Sequence, residues 1–256
     1  MADFHKLTIS KVERQTPKAV AIAFDIPEDL NETFSFIPGQ YITIKMEVDG
    51  KEIRRAYSIC SSPSSGELKV AVKEIKGGTF SAIANNKLQV GDVLEVHPPE
   101  GSFQLHTSDS STDTYCAFVA GSGITPVMSM IKAVLEEEKL SKFVLVYGNQ
   151  SLAETIFAKE LLQLQADYPD RLFIEFFYSR SQEEGARFGR IEKSTVNYVV
   201  KNKFKDENFK NFYLCGPEEM INVAKDTLIE NGVAENQIHF ELFTSSTEAV
   251  EIDASL

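Results

Sequence analysis

Cysteine is scarce in this chain: only Cys60, Cys116 and Cys215 occur in 256 residues. Three scattered thiols cannot build a disulfide framework, a zinc knuckle or a four-cysteine iron–sulfur site. No metal site is therefore expected, and any redox chemistry must rest on a bound organic cofactor. Positive charge is also short, with 26 lysines and arginines against 38 acids and a net charge of -12. That balance argues against a nucleic-acid partner and leaves basic proteins or electron carriers as candidates. No uninterrupted apolar run approaches the roughly 20 residues of a membrane-crossing helix. The opening MADFHKLTISK lacks the basic start and apolar middle of a secretion signal. The expectation is a soluble protein of the cytoplasm with no membrane partner.

What the chain does have, at 43% hydrophobic residues, is enough apolar material for one large core or two ordinary ones. Up to His106 the apolar residues alternate in short runs. Ile42, Ile44, Met46 and Val48 share one face of a strand, as do Leu68, Val70 and Val72, and then Leu94 and Val96. With HKLTISKVE, KAVAIAFDI and the stretch around Arg55, this predicts a small antiparallel barrel of about six strands over residues 1–106, interrupted by a short helix at TFSAIANN. Residues 107–114, TSDSSTDT, are all Ser, Thr or Asp and read as a linker. From 115 to 243 the pattern changes. YCAFVA, FVLVYG, LFIEFFY and NFYLCG are almost continuously apolar, as strands covered on both faces are. Helical faces built from Val127, Met128, Ile131, Val134 and Leu135, and from Met220, Ile221, Ala224 and Leu228, alternate with them. The βαβ order predicts a doubly wound parallel sheet, closed by a last strand at IHFELF. Residues 244–256 are mostly polar and read as a disordered tail or a linker.

Several short motifs punctuate this frame. RAYS places Arg55 and Tyr57 on one strand face and Ser58 on the other. KGGTFSAI puts the Gly77–Gly78 pair ahead of a helix whose first turn carries the Thr79 and Ser81 hydroxyls, which makes an anion site. A capped helix after a turn explains the same residues. Arg55 can meet phosphate bidentately, so the two stretches together can grip one pyrophosphate. GSGITP, with Gly121, Ser122, Gly123, Thr125 and Pro126, lies between a predicted strand and a predicted helix, where backbone N–H groups can hold phosphate. The usual dinucleotide fingerprint has a third glycine and a carboxylate after the next strand, and here Pro126 and Asn149 stand instead. YLCGPEEM repeats the strand–turn–helix pattern at Cys215, Gly216 and Pro217, and ligands of open parallel sheets bind beyond such strand ends.

In chain order, PGQY at 38–41, RAYS, KGGTFS, GSGITP, YGNQS, CGPEEM and FELF resemble the motif series of the ferredoxin–NADP reductase superfamily over essentially residues 4–243. Within it the likeness is to oxygenase reductase subunits of the phenylacetyl-CoA epoxidase type. The resemblance implies FAD in the barrel and a nicotinamide nucleotide in the parallel-sheet domain. By it Arg55 holds the FAD pyrophosphate, Tyr57 packs on the isoalloxazine ring, Ser58 hydrogen-bonds near flavin N5, and Ala56 between them belongs to the FAD-binding set. Because the ring must reach both Tyr57 and Ser58, the backbone there is expected to leave regular strand geometry. Val72 and Lys73 would meet FAD through main chain, and Gly77, Gly78, Thr79, Phe80 and Ser81 would surround its pyrophosphate. Glu241 and Phe243 would lie near the ring, although an exposed strand residue and a core aromatic explain them equally well. The implied catalytic set is Ser58, Cys215 and Glu241. The implied nucleotide set is Gly121, Ser122, Gly123, Thr125, Pro126, Asn149, Ser179, Arg180, Arg190, Cys215, Gly216 and Pro217.

YSRSQEEGARFGR after the third parallel strand bears on nucleotide choice. Ser179 and Arg180, with Arg187 or Arg190, can hold a 2′-phosphate and so favour NADPH over NADH; a solvated arginine loop beside Glu183 and Glu184 is the alternative. The expected reaction takes hydride from NAD(P)H to FAD and passes electrons singly to a ferredoxin-type iron–sulfur acceptor, as part of an oxygenase system such as phenylacetate degradation uses. The alternatives are a free-standing ferredoxin or flavodoxin reductase, and a regulatory subunit that binds nucleotide without turnover. Reductases of this type carry a C-terminal ferredoxin domain with Cys-x4-Cys-x2-Cys spacing, which this sequence does not contain, so no iron–sulfur cluster is expected in it. The tail is then either the start of a linker in a longer chain or the end of a member that uses a separate carrier.

Overall fold

Strict alternation builds the first half. In the computed structural model, which describes residues 3–243, six antiparallel strands form one sheet: β1 (His5–Thr16), β2 (Ala19–Asp25), β3 (Tyr41–Val48), β4 (Lys51–Ser58), β5 (Leu68–Lys73) and β6 (Val93–Glu100). Their order is β4-β3-β6-β1-β2-β5. Leu7, Ile9, Ile22, Ile42, Ile44, Val70, Val72 and Val96 point inward and are buried. The two edge strands, β4 and β5, are linked just past the end of β4, where Ile59 forms an isolated bridge to Val70 of β5. The sheet therefore curls toward a barrel but keeps a seam between β4 and β5. Helix α1 (Thr79–Asn86) covers part of the core with Phe80 and Ala84. Ser58 stays in the ladder opposite Tyr41, so the expected break in strand geometry at Tyr57–Ser58 does not occur. The open seam makes it unnecessary, because a group lying across the edge of β4 can reach both residues.

Continuous apolar strands build the second half. Strands β7 (Thr114–Ala120), β8 (Lys142–Asn149), β9 (Leu172–Tyr178), β10 (Arg187–Phe188), β11 (Phe209–Gly216) and β12 (Ile238–Leu242) form a parallel sheet in the order β10-β9-β8-β7-β11-β12. Helices α2 (Ile124–Glu137), α3 (Ala158–Asp167), α4 (Lys193–Asn197) and α5 (Glu218–Glu230) cover its two faces. The chain runs outward from β7 to β10 and returns to place β11 on the other side of β7. That reversal leaves a crevice at the carboxyl ends of β7 and β11, where ligands of open α/β sheets bind.

The halves share a core. Ala19, Ala21, Cys60, Ala71, Phe103 and Leu105 of the barrel side pack in one cluster with residues of α2, β7, β8 and β11. Ser129 Oγ donates to the Ser61 carbonyl at 2.6 Å, and Lys132 Nζ to that of Cys60 at 3.3 Å. The Ser/Thr/Asp stretch is tied to the second half: Ser108 N–H donates to Glu138 Oε1 at the end of α2 at 2.9 Å, and Thr114 already belongs to β7. The tail expected at 244–256 lies outside the described residues. No helix among those described is long and apolar enough to cross a membrane.

Candidate active site

A cavity of about 430 Å³ opens along the seam between β4 and β5. Arg54, Arg55, Ala56, Tyr57 and Ser58 of β4 form one wall, and Ala71 and Lys73 of β5 the other. Gly78, Thr79, Phe80 and Ser81 close one end, and Ser122, Thr125, Glu241, Leu242 and Phe243 reach in from the second half. Tyr57 is held by the Phe80 ring, 5.4 Å between centroids, and burial pushes its phenol well above the usual range. Arg55 Nη1 donates to the Arg54 carbonyl at 2.7 Å, which sets the guanidinium at the cavity wall. A Cβ on Gly78 would meet Ser81 Oγ and Ile75 Cγ1 at about 2.5 Å, so a larger residue there would have to push these two side chains aside at the entry to α1. Ser81 Oγ accepts from the Ile75 N–H at 3.3 Å and pins the same turn.

Glu241 stands out chemically. It sits on β12 opposite Cys215 and lines the cavity, and its buried Oε2 has no hydrogen-bond partner among the described residues. Burial disfavours the ionised form and raises its pKa to about 7. Its carboxylate, with that of Glu100 and after burial itself, also pushes up the Tyr41 phenol at the cavity rim.

The second cavity, about 860 Å³, occupies the crevice beyond the strand ends. Gly121, Ser122 and Gly123 follow β7, Gly148, Asn149 and Gln150 close β8, and Gly216 and Pro217 lead from β11 into α5. Gly121 has φ +56, a left-handed turn that suits glycine, and the Tyr147 hydroxyl donates to its carbonyl at 2.9 Å. Ser179 and Arg180 are placed by main-chain bonds, their N–H groups donating to the carbonyls of Asn149 (3.0 Å) and Gln150 (2.9 Å). Lys73, Arg180, Arg190 and Lys193, the last paired with Glu230, outnumber Glu192 and Glu219 in this cavity's lining, and the buried Asn149 Nδ2 has no partner among the described residues. Lys73, Ile75, Ser122 and Phe243 line both cavities, so the two meet at a common wall.

Most of the residues expected from the sequence line one cavity or the other, but four do not. Val72 points into the barrel core, and its carbonyl accepts from Asn85 Nδ2 at 3.1 Å; alternation gives its neighbours Ala71 and Lys73 to the cavity instead. Gly77 lies just outside the lining, and Pro126 is buried within α2. Cys215 is wholly buried in the core shared with the barrel, and desolvation pushes its thiol well above the ordinary range, so it reaches neither cavity. Gly123 lines the crevice, and packing alone already requires a glycine there: a Cβ would strike the Cys215 carbonyl oxygen and lie 2.6 Å from its carbon. Of the two loop arginines, Arg190 lines the cavity, while Arg187 pairs with Glu175 at 3.2 Å and lies 4.0 Å over the Tyr198 ring. Tyr41, Ala71, Ile75, Gln150, Lys193 and Glu219 were not anticipated as lining residues. Tyr41 lies within the PGQY motif, and strand alternation one residue either side of Val72 would have pointed to Ala71.

A seam cavity in an antiparallel barrel, joined to a switch-point cavity in a parallel sheet, is the architecture of an oxidoreductase that brings two nucleotide cofactors together. Residues 6–105 match the family model described as Oxidoreductase FAD-binding domain, and residues 118–226 match Oxidoreductase NAD-binding domain. The chain is 37% identical over 246 residues to a subunit of the 1,2-phenylacetyl-CoA epoxidase of Escherichia coli (strain K12), covering 96% of this chain and 69% of that protein. It is 32% identical over 241 residues to the 3-ketosteroid-9-alpha-monooxygenase ferredoxin reductase component of Rhodococcus rhodochrous, covering 93% of this chain and 65% of that protein. The chain thus spans about two thirds of the length of these relatives, 69% and 65%. The same fold occurs in the flavohem-like FAD/NAD-binding domain of nitric oxide dioxygenase from Vibrio cholerae O1 biovar El Tor, with TM-score 0.81, 23% identity and coverage of 94% of this chain and 99% of that one. It occurs as well in a ferredoxin NADP+ reductase from Neisseria gonorrhoeae with bound FAD and NADP, with TM-score 0.79, 22% identity and coverage of 94% and 99%. The chain belongs to the ferredoxin–NADP reductase superfamily of FAD- and NAD-binding oxidoreductases.

Proposed function

We propose that the protein is the NADPH-dependent reductase of an oxygenase system and delivers electrons to a ferredoxin-type iron–sulfur acceptor. The observation that supports this reading is the shared wall of the two cavities at Lys73, Ile75, Ser122 and Phe243: a flavin in one and a nicotinamide in the other would meet there. The names of the relatives, one part of an epoxidase and the other the ferredoxin reductase component of a monooxygenase, support the choice of acceptor. When bound, the flavin supplies the redox chemistry, taking two electrons as hydride and releasing them singly. The chain supplies binding and alignment. Arg55, Thr79 and Ser81, with the amides after Gly78, take the pyrophosphate, and Tyr57 and Ser58 form the wall for the ring. The partnerless Oε2 of Glu241 fits a cavity that a polar cofactor fills. Its carboxyl holds a proton at that wall near neutral pH. Gly121 and Gly216 line the nicotinamide nucleotide's cavity, and Phe243, 40% exposed, covers the junction of the two.

NADPH is preferred because Arg180 and Arg190 line the second cavity and neither is engaged in an ion pair among the described residues. Anaerobic titration of the FAD-loaded protein tests this by bleaching of flavin absorption. Bleaching is expected at stoichiometric NADPH and only at large excess of NADH. Arg180→Ala should weaken NADPH about tenfold and leave NADH unchanged, as loss of a charge-assisted bond to phosphate predicts. The reverse preference would retain the reductase and remove the phosphate-binding role, whereas FAD that no nucleotide bleaches would leave a binding protein without turnover.

A further inference from the structure

Helix α1 is anchored at the end opposite the seam cavity. Asn85, 4% exposed, donates from Nδ2 to the carbonyls of Val72 at 3.1 Å and of Ser81 at 2.9 Å, which ties the last turn of the helix to β5 and to its own first turn. Its two acceptors both face Arg14 of β1: Nη1 donates to Oδ1 at 2.8 Å and Nη2 to the main-chain carbonyl. The Asn85 side chain and carbonyl are thereby satisfied, and the guanidinium lies against the carbonyl end of the helix, where a cation is favoured. The helix has eight residues and spans about 12 Å, so a tilt at Asn85 carries through to Thr79. Its other end, from Gly78 to Ser81, lines the cavity, whereas Arg14 does not.

We propose that Arg14, acting through Asn85, is a positioning residue for FAD: it holds α1 so that the Thr79–Ser81 turn faces the cofactor's pyrophosphate. This rests on the reading that this turn takes the pyrophosphate. The ring half of the cofactor meets β4, which has no contact with the Arg14–Asn85 pair in this hydrogen-bond network. The clamp therefore acts on the phosphate half and leaves the ring half alone. Arg14 is exposed, so replacing it removes no core side chain and withdraws only the two bonds that satisfy the Asn85 acceptors.

The test is a fluorescence titration of the full chain, stripped of flavin, with FAD and with riboflavin, which carries the ring and no phosphate. Arg14→Ala is expected to bind FAD at least about tenfold more weakly, with riboflavin changed by less than about twofold. Arg14→Lys, which keeps the charge but not both bonds, should fall between. Unchanged FAD affinity in Arg14→Ala, or equal losses for both ligands, would overturn the proposal. Should Arg14→Ala fail to fold, Arg14→Lys answers the same question by the same two outcomes. Thr79→Val and Ser81→Ala separate the proposal from the reading beneath it. If they lower FAD affinity while Arg14→Ala does not, only the positioning role falls. If they leave it unchanged, the pyrophosphate assignment falls and the clamp with it.

Discussion

A single carboxyl group connects the packing of this protein to its pH behaviour. Glu241 is raised from 4.5 to about 7 because burial desolvates it, and among the described residues no hydrogen bond to its Oε2 offsets that. Between those two values the folded protein holds a proton that the unfolded chain has released, so stability falls as pH rises from about 4.5 to about 7 and levels off above. Glu241→Gln removes the slope. In the flavin-free protein we expect the variant to match the parent near pH 4.5 and to melt a few degrees higher at pH 8. Thermal melts across pH would show parallel curves, with the parent steeper in no interval, if the group were instead solvated. Cys215, directly across the ladder, offers the contrast: its burial is complete and opens onto no cavity, so its raised pKa describes a core thiol.

At the scale of elements, how far the sequence could be read depended on which faces carry a pattern. Barrel strands such as β3 and β4 keep one face partly open, so alternation marked them, and it also set the parity that gives Ala71 and Lys73 to the cavity; β2 is buried on both faces because its Ala19–Ala21 side packs on the second half. The parallel strands are apolar on both faces. Tyr213 and Cys215 join one core cluster and Leu214 the other, and nothing in NFYLCG says which face is which, so the position of Cys215 was not legible. Strand β10 was likewise hidden, being two residues that exist only by pairing with Phe177 and Tyr178. The glycine motifs were legible as turns, and each glycine's reason was not. Gly123 is required by the approach of α2 to the end of β11. Gly123→Ala should cost about 2–3 kcal/mol, because the atoms its Cβ meets are backbone and cannot yield. Denaturant unfolding would measure it, and a loss of stability below about 0.5 kcal/mol would show that the two elements can separate without cost.

For the whole molecule, the question is whether two nucleotide domains behave as one body. On the proposed function, alignment of two cofactors across the wall at Lys73 and Phe243 requires that the barrel and the sheet not rock independently. The structure joins them through side chains with no surface character. Phe103, 5% exposed, follows the last barrel strand and meets Tyr213 of β11 edge-on at 5.7 Å, inside the cluster that also holds Ala19, Cys60 and Met130. The polar contacts around it reinforce the same join, with Lys132 bonded to the Cys60 carbonyl at 3.3 Å and paired with Glu160 at 2.7 Å. A core continuous across the boundary couples the folding of both halves, although chains of two domains often unfold in steps. Calorimetry should accordingly give one transition whose calorimetric and van't Hoff enthalpies agree. Phe103→Ala should lower stability by about 3–5 kcal/mol, the cost of a large cavity, and should separate the transition into two. Two transitions already present in the parent protein would mean that each half is stable alone and that alignment depends on the bound cofactors instead.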